Sequence, residues 1–248
     1  MINIYKPIGI SPLDVIKLLK EKNPEYRDVS ITYAGRLDPM AEGILLLLTG
    51  DEVYKKEEYQ KLDKEYEAEI LFGFQTDTYD VLGLPQLLHS NEVVGDIEKE
   101  IKNMVGEISL PLPPYSSYKI NGKPLFMWAR EGKLGEIEIP TRTTQIYEAE
   151  VLDSLPAGRH GYEVSEKDLL EKITEKINLV KGDFRQEEIL EKWREVLKKK
   201  NKYLVVKARF KVSSGTYIRS IAHHLGGVLL SLTRTKVGEF DIKDSIKL

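Results

Sequence analysis

The chain has 248 residues, with 37 Lys and Arg against 40 Asp and Glu, 41% hydrophobic residues and no cysteine. That length suits one large domain with a full core. The lack of cysteine excludes disulfides, zinc–thiolate sites, iron–sulfur clusters and thiol catalysis. Four histidines leave little for a metal site. The longest apolar run, residues 44–48, is far too short to span a bilayer, and the opening MINIYKPIGIS lacks the apolar stretch of a signal peptide. A cytoplasmic protein is expected. The net charge of −3 hides a gradient: residues 1–162 carry a net −9 and residues 203–248 a net +5. A basic patch near the C-terminus can bind phosphates whatever the total charge, and it can equally be a solvated face.

In chain order, residues 3–5 read as a short strand ended by the turn KPIG. Ser11-Pro12-Leu13-Asp14 opens a helix, with Ser11 as cap, Pro12 at the first helical position and Asp14 near the positive end of the dipole. AGRLDPMAEG, residues 34–43, is a glycine-bounded loop leading into the buried strand ILLLL. Tyr66, Ala68, Ile70, Phe72 and Phe74 alternate with Glu67, Glu69 and Leu71 as a strand, followed by the polar loop TDTYD. Ile97, Ile101, Met104 and Val105 mark a helix stopped by Gly106. Residues 111–124 form an extended arm with a turn at Asn121-Gly122, followed by a short helix over 125–130 and a strand over 146–152. Two charged amphipathic segments, 166–179 and 186–200, predict a helical hairpin. Strand periodicity returns from Leu204 to Val212. A helix is expected from 217 to about 230 and a closing strand over about 236–242. This pattern predicts an α+β fold with a mixed, mostly antiparallel sheet.

Singly, the residues able to carry chemistry are weak signals. Asp38 before Pro39 also suits a helix N-cap. Arg219 also suits a surface charge at a helix start, and Tyr66 a core aromatic. Together they resemble the TruB family of tRNA pseudouridine synthases. YKPIGIS, GRLDPMAEG, KEYEAEILFGFQTDTYDVLG, YSSYKINGKPLFMWAREG, SSGTYIRSIAHHLG and LTRTKVGEF are similar, in order, to that family's motifs. The resemblance implies Asp38 as the catalytic carboxylate, Arg219 as its ion-pair partner and Tyr66 as the active-site tyrosine. Lys6, Tyr33, Lys64, Asp80 and Leu232 are implied substrate-binding residues, Leu232 as a pocket wall. Tyr33 stands where many members have His, which removes a group titrating near neutral pH. Asp77 and Asp80 are the loop carboxylates.

The implied activity is conversion of a T-loop uridine of tRNA, at position 55, to pseudouridine by base flipping, with no metal and no cofactor. A monomer is expected that needs no obligate protein partner. The alternatives are a guide-RNA-dependent synthase of the dyskerin type and a non-catalytic RNA-binding protein on the same scaffold. The resemblance leaves out roughly 155–201, which is expected to be a helical-hairpin insertion and a peripheral decoration rather than an RNA-gripping arm. The resemblance further implies flanking helices around a central catalytic cleft, and the PUA domain that many relatives carry is not expected.

Overall fold

The computed structural model describes residues 1–88, 96–153 and 161–248. The chain runs β1 (Ile2–Lys6), α1 (Pro12–Lys22), β2 (Ile31–Ala34), β3 (Glu42–Thr49), α2 (Lys56–Lys61), β4 (Lys64–Phe72), β5 (Phe74–Thr76), β6 (Pro85–Leu87) and α3 (Ile97–Asn103). It continues with β7 (Gly106–Pro111), β8 (Lys119–Ile120), β9 (Lys123–Pro124), α4 (Leu125–Arg130), β10 (Thr141–Val151) and β11 (Tyr162–Ser165). It closes with α5 (Glu166–Leu179), α6 (Gln186–Leu197), β12 (Lys202–Val212), α7 (Ile218–His224), β13 (Gly227–Val237) and β14 (Phe240–Asp241).

One large sheet dominates, with strand order β1-β3-β13-β4-β12-β10-β7. Only β3 and β13 pair in parallel within that path. The fold is therefore α+β with a mixed, mostly antiparallel sheet. Strand β4 shows why it forms. Tyr66, Ala68 and Ile70 point into the main core, opposite Phe210, Ala208 and Val206 of β12. On the other face, Glu67 pairs with Lys207 at 3.0 Å, Arg209 with Glu150 at 2.8 Å and Lys211 with Glu148 at 2.9 Å. Much of the C-terminal basic charge is thus spent on carboxylates of neighbouring strands, so the net +5 does not make a free phosphate-binding face.

The Ser11 cap forms as a full capping box with Asp14. The Asn121-Gly122 turn has both residues at positive φ, as a two-residue hairpin requires. Two expectations are corrected. The helix expected to run to about 230 ends at His224. Gly226, at φ 78°, stops it, and Val228, Leu229 and Leu230 are fully buried in the central strand β13 instead. The hairpin α5–α6 is not peripheral either. Leu169, Ile173, Ile177, Ile189 and Trp193 belong to the main core. The Trp193 ring lies 5.2 Å from Phe74, and its Nε1 donates to the Val81 carbonyl at 3.1 Å. Residues 155–160 of the expected insertion lie outside the described residues.

Candidate active site

Asp38 sits in the loop between β2 and β3. The flanking side chains Leu37 and Met40 are buried in the core, which pins the loop on both sides and leaves the carboxylate facing a cleft. No helix follows Pro39. The backbone instead turns back with Ala41 N donating to the Asp38 carbonyl at 3.1 Å, so Asp38 caps no helix.

Two buried cations hold this loop from beneath. Lys6 Nζ donates to the carbonyls of Ala41 at 2.6 Å and Pro7 at 2.9 Å. Arg234, on β13, donates from Nε to the Ile44 carbonyl at 2.8 Å and from Nη2 to that of Gly35 at 3.2 Å. At the loop's end Gly43 has φ 107°, and a Cβ there would lie 2.3 Å from the Arg234 carbonyl oxygen. Only glycine permits this close approach of loop and strand. Lys6 is fully buried, so it supports the loop and does not reach a substrate. Burial lowers its pKa to about 8, against the raising pull of Asp38.

Arg219 comes from the first turn of α7. Its Nη2 lies 2.8 Å from Asp38 Oδ2. Its Nη1 donates to the Thr78 carbonyl at 2.8 Å, and Nη2 also reaches the Tyr115 carbonyl at 3.4 Å. Asp80 Oδ2 lies 3.8 Å from Nε. Asp80 is itself buried, accepting from Thr78 Oγ1 at 2.7 Å and Leu82 N at 2.9 Å. Burial pushes its pKa up to about 6, with Arg219 opposing the rise. The polar TDTYD loop therefore fixes the arginine that aims Asp38, and Asp80 acts on that arginine.

Asp38 and Arg219 stand at a cavity of about 250 Å³ whose walls include Tyr66, Leu232, Lys64 and Arg142. Tyr66 and Leu232 reach it from adjacent strands, β4 and β13. Lys64 donates to the Gln60 carbonyl at 2.6 Å and to Ser214 Oγ at 3.3 Å, and burial lowers its pKa to about 8. Tyr33 is not brought to this cleft. On β2 it faces Leu47 and packs beside the α1 layer, with Lys56 Nζ 5.4 Å from its ring centroid.

The sequence reading missed Arg234, which lies two residues after Leu232 in the same LTRTKVGEF motif. It also missed Arg142, which lies in a segment without a motif. Arg142 reaches the cavity across Gly215, where a Cβ would meet its Nη2 at 2.2 Å.

Residues 25–166 match the TruB family pseudouridylate synthase N-terminal domain. The chain belongs to this family. It is 30% identical over 258 residues to a tRNA pseudouridine synthase B of Clostridium tetani, covering 100% of this chain and 71% of that protein. It is 32% identical over 253 residues to a tRNA pseudouridine synthase B of Endomicrobium trichonymphae, covering 98% and 86%. Among solved structures, it is similar in fold to a Cbf5-Nop10-Gar1 complex, with a TM-score of 0.58 and 20% identity over all of this chain and 51% of that one. The structure of an H/ACA RNP bound to a substrate RNA containing 2'-deoxyuridine gives a TM-score of 0.55 at 18% identity, over 99% of this chain and 50% of that one. The chain thus spans about half the length of these structural neighbours.

Proposed function

We propose that this protein isomerises a uridine in the T-loop of tRNA, position 55, to pseudouridine. It acts as a monomer in the cytoplasm, without guide RNA or protein partner. The observation that carries this reading is the Asp38–Arg219 ion pair at the mouth of a cavity walled by Tyr66 and Leu232. The names of its relatives support tRNA as the substrate. That no helix of the described residues is long and apolar enough to cross a membrane accords with a cytoplasmic place.

The reaction breaks the N1–C1′ bond, turns the base and joins C5 to C1′. C5 loses a proton and N1 gains one, so nothing is oxidised, reduced or hydrolysed. The target base first leaves its stack, at a cost of a few kcal/mol. Stacking on Tyr66 returns about 1–3 kcal/mol of that. Leu232 backs the ring and keeps water out. Asp38 then acts on the sugar, either as a nucleophile at C1′ or as the base that removes a sugar proton. Arg219, held by Thr78 and Tyr115, keeps the carboxylate aimed.

The test is tritium release from a T-arm minihelix carrying 5-³H-uridine, with no guide RNA and no other protein. Release is expected at a single site. Release only on addition of a guide RNA would favour the dyskerin-type alternative, and binding without release would favour the non-catalytic one.

A further inference from the structure

The α5–α6 hairpin, which lies outside the family's motifs, meets the surroundings of the Asp38–Arg219 pair at two places. At the end of α5, Lys181 N donates to the Gly9 carbonyl at 3.0 Å, and Gly9 N donates to the Pro39 carbonyl at 2.8 Å. Gly9 has φ 93°, and a Cβ there would lie 2.1 Å from the Leu179 carbonyl oxygen. The hairpin thus packs on the backbone beside the Asp38 loop, where only glycine fits. A second cavity, of about 520 Å³, adjoins Asp38 and Arg219, and the hairpin loop walls it with Asp183, Phe184 and Arg185.

That loop is stapled internally. Gln186 accepts from Phe184 N at 2.9 Å and donates to the carbonyls of Val180 at 3.1 Å and Gly182 at 2.6 Å. Asp183 accepts from Arg185 N at 3.2 Å, and Arg185 takes φ 60°, which residues other than glycine seldom adopt. The Arg185 guanidinium then makes two contacts. Its Nη2 lies 2.8 Å from Asp77 Oδ2, and its central carbon lies 5.1 Å from the Tyr115 ring centroid. Asp77 is fixed in turn, its Oδ1 accepting from Leu84 N at 2.9 Å. Burial raises the pKa of the Tyr115 hydroxyl, and the nearby Asp77 carboxylate adds to the rise.

Both residues that Arg185 touches belong to the segments that hold Arg219. Thr78, next to Asp77, and Tyr115 itself supply the carbonyls that accept from the Arg219 guanidinium. Arg185 therefore ties together the two stretches of backbone on which the aim of Arg219 depends. A guanidinium suits this task, because its edge can meet a carboxylate while its face lies against a ring. The Arg185–Asp77 pair is one-third exposed on both sides, so it contributes little to overall stability.

We propose that Arg185 is a positioning residue for the isomerisation: by clamping Asp77 and Tyr115, it fixes the carbonyls that hold Arg219 against Asp38. The inference rests on the proposed activity at Asp38.

Arg185→Gln tests it by removing the charge and the planar fork. At saturating T-arm minihelix, its single-turnover rate should fall by about 10- to 100-fold, the effect of a small misplacement at the reacting centre. Its RNA dissociation constant should stay within about twofold of wild type, and its Tm should stay close, because a half-exposed ion pair stabilises little. Asp77→Asn keeps an oxygen for Leu84 N, and the double variant should be little slower than Arg185→Gln alone. Wild-type turnover by a folded Arg185→Gln would overturn the proposal. So would a loss confined to affinity, which would make Arg185 an RNA contact, or single losses that multiply in the double variant. Should Arg185→Gln melt early, Arg185→Lys takes its place. Its ammonium can meet Asp77 but cannot lie flat on Tyr115. Turnover at saturation should still fall, and full turnover would overturn the proposal. Hydrogen exchange supplies a readout that needs no turnover: in Arg185→Gln, exchange over residues 76–84 and 112–118 should quicken while that of β4 stays unchanged. Unaltered exchange in both segments would overturn the clamp. A wild type that binds RNA without turnover would count against the proposed activity, and the exchange measurement would still decide the clamp.

Discussion

Arg219 Nη2 lies 2.8 Å from Asp38 Oδ2, joining a guanidinium that is 4% exposed to a carboxylate whose side chain is 30% exposed. The asymmetry separates two jobs. The arginine is buried and anchored by the carbonyls of Thr78 and Tyr115. The aspartate keeps an open side on which a sugar can approach. A purely structural ion pair has no need of that opening.

Asp38→Asn separates binding from chemistry. Asn keeps the shape and can still accept from Arg219, but it is neither a carboxylate nucleophile nor a proton acceptor of useful strength. Turnover should fall by at least about 10⁴-fold, or roughly 5 kcal/mol of transition-state stabilisation. The RNA dissociation constant should move by less than about tenfold, or 1.4 kcal/mol. Single-turnover tritium release beside filter binding measures both. Appreciable turnover by the variant, with deamidation excluded by mass spectrometry, would remove Asp38 from the chemistry.

Asp80 predicts a pH dependence of stability whose sign can be worked out. Its folded pKa is raised to about 6, above the ordinary value near 3.9. Between those values the folded state holds a proton that the unfolded chain has released. The contribution of Asp80 is thus fully present below about pH 4 and is lost as pH rises through 6. Asp80→Asn removes the titration and keeps an oxygen for Thr78 and Leu82. Relative to wild type, the variant should gain on the order of 1–3 kcal/mol between pH 4 and pH 6.5. Paired thermal melts at the two pH values check this, and a constant difference in Tm would refute it.

The hairpin is expected to be indispensable to the fold. Trp193→Ala removes a fully buried ring packed on Phe74 and orphans the Val81 carbonyl. The cost should be about 3–5 kcal/mol for the truncation. Denaturant unfolding of this variant gives the number directly. Excising residues 164–201 would expose Phe74, Val81 and Val205 at once, and soluble, cooperatively folding protein from that deletion would show the hairpin to be an add-on after all.

The elements legible in the sequence were those fixed by local chemistry. The Ser11-Pro12-Asp14 helix start, the Asn121-Gly122 turn and the alternation from Tyr66 to Ile70 are settled within a few residues. Strand β13 was not legible, because Val228-Leu229-Leu230 is buried on both faces and so lacks an alternating pattern, leaving the short helix before it free to be extended on paper. The hairpin's helices were legible from their spacing, but their docking was not. The apolar stripe of an amphipathic helix looks the same whether it covers an edge or enters the main core. At the site, Asp38, Tyr66, Leu232 and Arg219 do meet at one cavity. Lys6 and Asp80 act instead by holding the Asp38 loop and Arg219, and a motif carries no sign of which side of a loop a charge supports. Arg142 was hidden because its approach depends on Gly215, far away in sequence.

The placement of the basic residues predicts where salt dependence originates. Lys207, Arg209 and Lys211 pair with acids across the sheet, so they neutralise protein carboxylates rather than RNA phosphates. Such exposed pairs contribute only about 0–1 kcal/mol each to stability. Replacing all three by Gln should leave RNA affinity within about twofold, because no phosphate-bound cation is lost. Arg142 lines the first cavity and, among the described residues, has no carboxylate partner. Arg142→Gln should weaken binding at every salt concentration and reduce the slope of log affinity against log salt by about 0.7–0.9, the release of one phosphate's counterions. The comparison requires titrations of a T-arm minihelix between about 50 and 200 mM salt for wild type and both variants. A larger loss of slope in the triple variant than in Arg142→Gln would mean that the sheet face grips the backbone and that its ion pairs open when RNA binds.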